Sequence, residues 1–173
     1  STLMEIFQDH LRSTGVENSQ ILHINFEDFD YRPLRDPAAL HSYITERMAR
    51  DRMTYVFLDE IQHVPDWQDV VDSLHLRKNL DIYITGSNAY LLSSEIATLI
   101  SGRYVEIKML PLSFREFVSA TGGEANLPKA YRQYVESSSF PYALALLDHP
   151  KELRDYLEGI YNTVVVKDLA SRM

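Results

Sequence analysis

The sequence predicts an α/β fold, with a mainly parallel sheet between helices and an all-helical segment behind it. Three observations carry this. The run Tyr55-Val56-Phe57-Leu58 is apolar without alternation, as in a strand buried on both faces. Strand-like runs alternate with amphipathic helical patterns, the arrangement that produces parallel sheets covered on both sides. From Pro128 onward every segment reads as helix, which sets a boundary near residue 125. The chain therefore divides into an α/β core at 1–125 and a helical segment at 126–173.

The elements follow in order. Leu3, Ile6, Phe7 and Leu11 recur at helical spacing, and Gly15 supplies a C-terminal cap. Residues 21–26 read as a strand, followed by an acidic, aromatic stretch to Arg35. Leu40, Tyr43, Ile44 and Met48 mark one face of a helix over 38–50. The 55–58 strand comes next, then a helix opened by Pro65 with Trp67, Val70, Val71 and Leu74 on one face. Residues 80–84 form another strand, closing in Thr85-Gly86-Ser87-Asn88, and 89–101 suggest a short helix. Residues 104–110 alternate with period two, as in a partly exposed strand. Ser113 with Glu116 three residues on forms a capping box. Gly122 to Glu124 is a loop, and 129–137, 141–148 and 151–172 are helical.

Composition narrows the function classes. With 45% hydrophobic and 24% charged residues, the 173-residue chain is an ordinary globular protein with a real core. A formal charge of −8 argues against a generally basic nucleic-acid surface, although a local basic patch stays open. No window approaches 18 uncharged apolar residues, so no membrane span is expected, and a cytoplasmic location is the default. The absence of cysteine rules out disulfides, thiolate metal sites and cysteine nucleophiles. The six histidines are scattered without H-E-x-x-H spacing, and no G-x-S-x-G elbow exists.

The chemistry concentrates where the 55–58 strand ends in Asp59-Glu60. Open α/β sheets bind ligands at the carboxyl ends of their strands. In a nucleotide-binding sheet the first acid holds Mg²⁺, usually through water, and the second polarises the attacking water. This is a Walker B pattern, although an acid pair at that place also serves as a helix N-cap or an ordinary strand end. The chain contains no complete G-x-x-x-x-G-K-[ST] loop. If Gly-Lys preceded Ser1, its hydroxyl would be a Mg²⁺ ligand with Thr2 beside it; otherwise Ser1 is a plain N-cap. Ser87, in the turn after the 80–84 strand, fits a sensor of the terminal phosphate as well as a turn-and-cap role. Arg103 fits an arginine finger reaching a neighbouring subunit, or a surface salt bridge.

Together STLMEIF, ILHINFED, YVFLDEIQHVPDW, IYITGSN, SGRYVEIKMLPLSFREF and YNTVVVKDLASR resemble the prokaryotic AAA-type P-loop ATPases, over essentially the whole chain. The resemblance implies a P-loop NTPase-like sheet and ATP with Mg²⁺ as cofactors. It places Ser1 and Thr2 at the tail of the phosphate-binding loop, Asp59 on the metal, Glu60 as the water-activating base, Ser87 as sensor and Arg103 in the Gly-Arg before the last strand. Residues 110–117 match the Pro-Leu-Ser-Phe segment, and Val166-Lys167-Asp168-Leu169 match the start of a C-terminal half. Two departures stand out. Ser138-Ser139 replaces the usual Gly-Gly before Phe-Pro, and the phosphate-binding loop with its central strand is missing. The chain is thus expected to be the middle of a longer protein and inactive by itself. The vacant strand slot favours self-association. The alternative is a non-catalytic module that binds an unknown protein partner on a decayed nucleotide fold.

Overall fold

The computed structural model describes residues 2–86 and 103–171, with side chains through residue 163. Two compact units result, Ser1–Val105 and Glu106–Met173. The helix expected at 89–101 lies outside the described residues.

The first unit is a three-layer α/β sandwich. Its elements are α1 (Thr2–Ser13), β1 (Ile21–Asn25), α2 (Pro37–Arg47), β2 (Thr54–Asp59), α3 (Trp67–His75) and β3 (Leu80–Ile84). The sheet is parallel throughout in the order β1-β2-β3. The two faces of β2 are covered by different helices, which explains its unbroken apolar run. Val56 and Leu58 join Ile24, Phe26, Leu40, Ile44, Val70, Val71 and Leu74 in a core on the α2/α3 side. Phe57 points the other way, into Met4 and Leu11 of α1. There Phe57 stacks on Tyr83 at 5.0 Å between ring centroids and meets Phe7 edge-on at 6.1 Å. α2 begins with Pro37 at its first turn, and the Asp36 carboxylate accepts the Ala39 N–H at 2.8 Å, an N-cap of the usual kind.

The alternating segment 104–110, expected as a strand, has no ladder partner among the described residues. Val105 and Leu110 are 89% and 84% exposed, and Ile107 and Met109 are exposed as well. A strand exists only through pairing, so a period-two pattern states which face wants cover without supplying the neighbour.

The second unit is helical: α4 (Phe114–Thr121), α5 (Leu127–Ser137) and α6 (Pro150–Ser171), with a 3₁₀ turn over Pro141–Leu146 where a helix was expected. The capping box at the start of α4 forms, with Ser113 accepting the Glu116 N–H and the Glu116 carboxylate accepting the Ser113 N–H at 2.8 Å. Phe114 and Phe117 pack on Tyr134 at 5.6 and 5.3 Å, and the Tyr134 hydroxyl donates to the Leu112 carbonyl at 2.8 Å. No helix among the described residues is long and apolar enough to cross a membrane.

Ser138 follows α5 with φ 71° and ψ 169°, a backbone conformation essentially reserved for glycine. Ser138 thus carries the strain of a backbone that suits glycine. Ser138→Gly is expected to raise stability by about 1 kcal/mol. Urea unfolding of the two proteins checks this.

Candidate functional site

The ladder registers set the site. Asn25 lies opposite Asp59 and Leu58 opposite Ile84, so the next residue of β3's chain, Thr85, comes alongside Asp59. Backbone bonds continue past the strand ends: Phe26 N–H to the Asp59 carbonyl at 3.0 Å, Thr85 N–H to the Leu58 carbonyl at 3.0 Å, and Ile61 N–H to the Thr85 carbonyl at 3.1 Å. The carboxyl rim of the sheet is thus one rigid row.

Helix α1 starts at this rim. Its C-terminal end feeds β1 through a short turn, so it runs antiparallel to the strands with its side chains on Phe57. Twelve residues of helix span about 18 Å and five residues of strand about 17 Å, which brings the first turn of α1 level with Asp59. An electropositive helix start beside a carboxylate row is the layout that holds a phosphate and its cation.

Asp59 is only 3% exposed. Burial pushes its carboxyl up, while the hydrogen bond donated by the Thr85 hydroxyl pulls it down. The Thr85 bond is the contribution built into the sheet register, since it joins neighbouring strands.

Glu60 leaves the strand in the left-handed region, at φ 59° and ψ 48°. A non-glycine residue there carries about 1–3 kcal/mol of strain, which the buried neighbours Leu58 and Ile61, both 0% exposed, hold in place. The turn carries Glu60 out of the pleat to a half-buried position, where its carboxylate accepts a hydrogen bond from the Gln62 amide.

The AAA domain family model matches residues 1–118. The chain belongs to this family. It is 40% identical over 176 residues to an uncharacterised protein of Haemophilus influenzae, and the match covers 99% of this chain and 44% of that protein. It is 32% identical over 181 residues to an uncharacterised protein of Methanocaldococcus jannaschii, covering 95% of this chain and 38% of that one. The chain thus spans less than half the length of these curated relatives. No solved structure is significantly similar to it.

Within the AAA domain the expected site residues fare differently. Asp59, Glu60 and the start of α1, with Thr2 as its first residue, share the rim. Ser1 and Ser87 lie outside the described residues. Arg103 is held on α3 instead, 3.5 Å from the Asp72 carboxylate in an exposed pair. Such pairs contribute at most about 1 kcal/mol, so the guanidinium can be drawn away at little cost.

Sequence reading expected the Thr85–Asn88 turn at this edge but singled out Ser87, and it missed Glu27 and His63. Thr85 belongs to it through register alone. Glu27 and His63 stand at the rim with Glu60, one ligand atom of each lying within 4.8 Å of the others. His23 sits one face below, edge-on to Phe57 at 6.3 Å, with its Nε2 buried and lacking a hydrogen-bond partner among the described residues.

Burial pushes the His23 imidazole below its usual value, while the Asp59 carboxylate pulls the other way. The folded state therefore resists a proton that the unfolded chain accepts below about pH 6.5. The stability contributed by neutral His23 is complete above that pH. It falls as pH drops toward the depressed folded value, by at most about 1.4 kcal/mol per pH unit for one proton. Urea unfolding at pH 7.5 and 5.5 should show a smaller loss in His23→Phe than in the parent chain.

Proposed function

We propose that this AAA domain is the core of an ATPase that binds Mg-ATP at the carboxyl rim of its sheet and couples hydrolysis to conformational change. The buried Asp59 at the carboxyl end of β2, on the rim where α1 begins, carries this reading. Its oxygen donors suit a hard, hydrated cation, and the Thr85 hydroxyl fixes which way the carboxylate faces. Mg²⁺, when bound with nucleotide, neutralises charge developing on the transferred phosphoryl group.

The roles divide by environment. Asp59, in the pleat, would hold the ion. Glu60, swung out by its left-handed turn, accepts a proton from the attacking water and is oriented by Gln62. Ser1 and Thr2 supply the hydroxyl end of a phosphate-binding loop, Ser87 senses the terminal phosphate, and Arg103 acts on a neighbouring subunit once released from Asp72. The loop's Gly and Lys positions are not among residues 1–173, so activity belongs to a protein that carries them.

Asp59→Asn tests the metal role. In such a full-length protein it is expected to raise the Mg²⁺ concentration needed for half-maximal ATP turnover, by about tenfold or more. A magnesium titration of the steady-state rate reads this directly. An unchanged requirement would remove Asp59 from the ion.

A further inference from the structure

We propose that Glu27, Glu60 and His63 form a second metal site, for a divalent transition ion such as Zn²⁺, whose occupancy withdraws Glu60 from water activation. The ligand atoms of these three residues already lie within 4.8 Å of one another. They come from two turns 33 residues apart in sequence, held side by side by the bond from Phe26 N–H to the Asp59 carbonyl at 3.0 Å. On the other side of Glu60, Ile61 and Val64 are 0% and 1% exposed and clamp the short turn that presents His63.

The donor set selects the ion. Two carboxylates and an imidazole suit Zn²⁺ and its first-row neighbours, whereas Mg²⁺ prefers oxygen ligands and retains its waters. Asp59 is not one of the three, so the hard-ion position proposed there and this one are distinct. Bonds of about 2.0–2.2 Å in a tetrahedral site place ligands roughly 3.4 Å apart. The cluster must therefore contract by an ångström or so. Glu27 and His63 are exposed and can rotate to do it, while the Gln62 amide supports the Glu60 carboxylate as an outer-shell donor. Two carboxylates brought this close favour a cation between them.

The inhibitory consequence rests on the role of Glu60 proposed above; the binding itself does not. A carboxylate lone pair engaged with metal cannot take the proton of an attacking water.

The test is a calorimetric titration of Zn²⁺ alone into the 173-residue chain, with His63→Gln, Glu27→Gln and His10→Gln alongside. Both ligand side chains are exposed, so neither substitution removes packing, and circular dichroism verifies that each variant is folded. The expected result is one Zn²⁺ per chain, with affinity reduced at least about tenfold by His63→Gln and by Glu27→Gln and unaltered by His10→Gln. Absence of binding would overturn the proposal. So would binding that either ligand substitution leaves unaltered, or that His10→Gln weakens equally. No nucleotide enters the measurement, so its outcome is separate from that of the ATPase reading.

Discussion

Glu60→Gln, in a full-length protein with a complete phosphate-binding loop, is expected to lower ATP turnover by about 10²–10⁴-fold while Mg-ATP still binds. The substitution keeps the size and shape of the side chain, and its amide oxygen can still accept the hydrogen bond from Gln62. What it loses is the capacity to take a proton. The left-handed backbone at φ 59° is unaffected, because Gln tolerates it no better and no worse than Glu. Fold, metal and nucleotide affinity should therefore survive, and the loss should appear in kcat. Steady-state turnover measured beside equilibrium ATP binding separates the two. Turnover at the parent rate would take Glu60 out of the mechanism, while loss of binding would mean that the residue holds nucleotide instead.

Phe57→Ala is expected to destabilise the 173-residue chain by about 3–5 kcal/mol, read as a lower urea midpoint. Phe57 is 0% exposed and fills the space between the sheet and α1, in contact with the rings of Phe7, Tyr83 and His23. Its truncation leaves a cavity that those aromatic rings cannot collapse into, and the hydrophobic transfer term adds to the loss of packing. Against a total of about 5–15 kcal/mol for a domain, this is a large fraction. The functional consequence follows from position. Phe57 is what seats α1 on the sheet, and α1 brings the helix start to Asp59, so the same substitution should also loosen the rim. A loss below about 1 kcal/mol would show that α1 is not held through this residue.

The parts of the fold written in local pattern were legible. An apolar run with no alternation gave β2 its place between two helix layers, and adjacent acids after it fell on the carboxyl rim because strands of a parallel sheet all end there. The parts set by register or by a distant neighbour were not. Thr85 reaches Asp59 only because Leu58 pairs with Ile84, whereas the sequence drew notice to Ser87 two residues later. The left-handed turn at Glu60 has no glycine or asparagine to announce it. Glu27 and His63 are joined by the fold across 36 residues, so no ligand spacing could connect them. The alternation of 104–110 predicted a partly exposed strand, but a ladder needs a partner, and none lies beside it among the described residues.

The most direct measurement is a crystal structure of the full-length Glu60→Gln protein with Mg-ATP. The account predicts the ion between the Asp59 carboxylate, directly or through one water, and the first hydroxyls of α1, with the terminal phosphate facing residue 60. Nucleotide bound away from the carboxyl end of β2, or an ion that leaves Asp59 in its hydrogen bond with Thr85 alone, would contradict it.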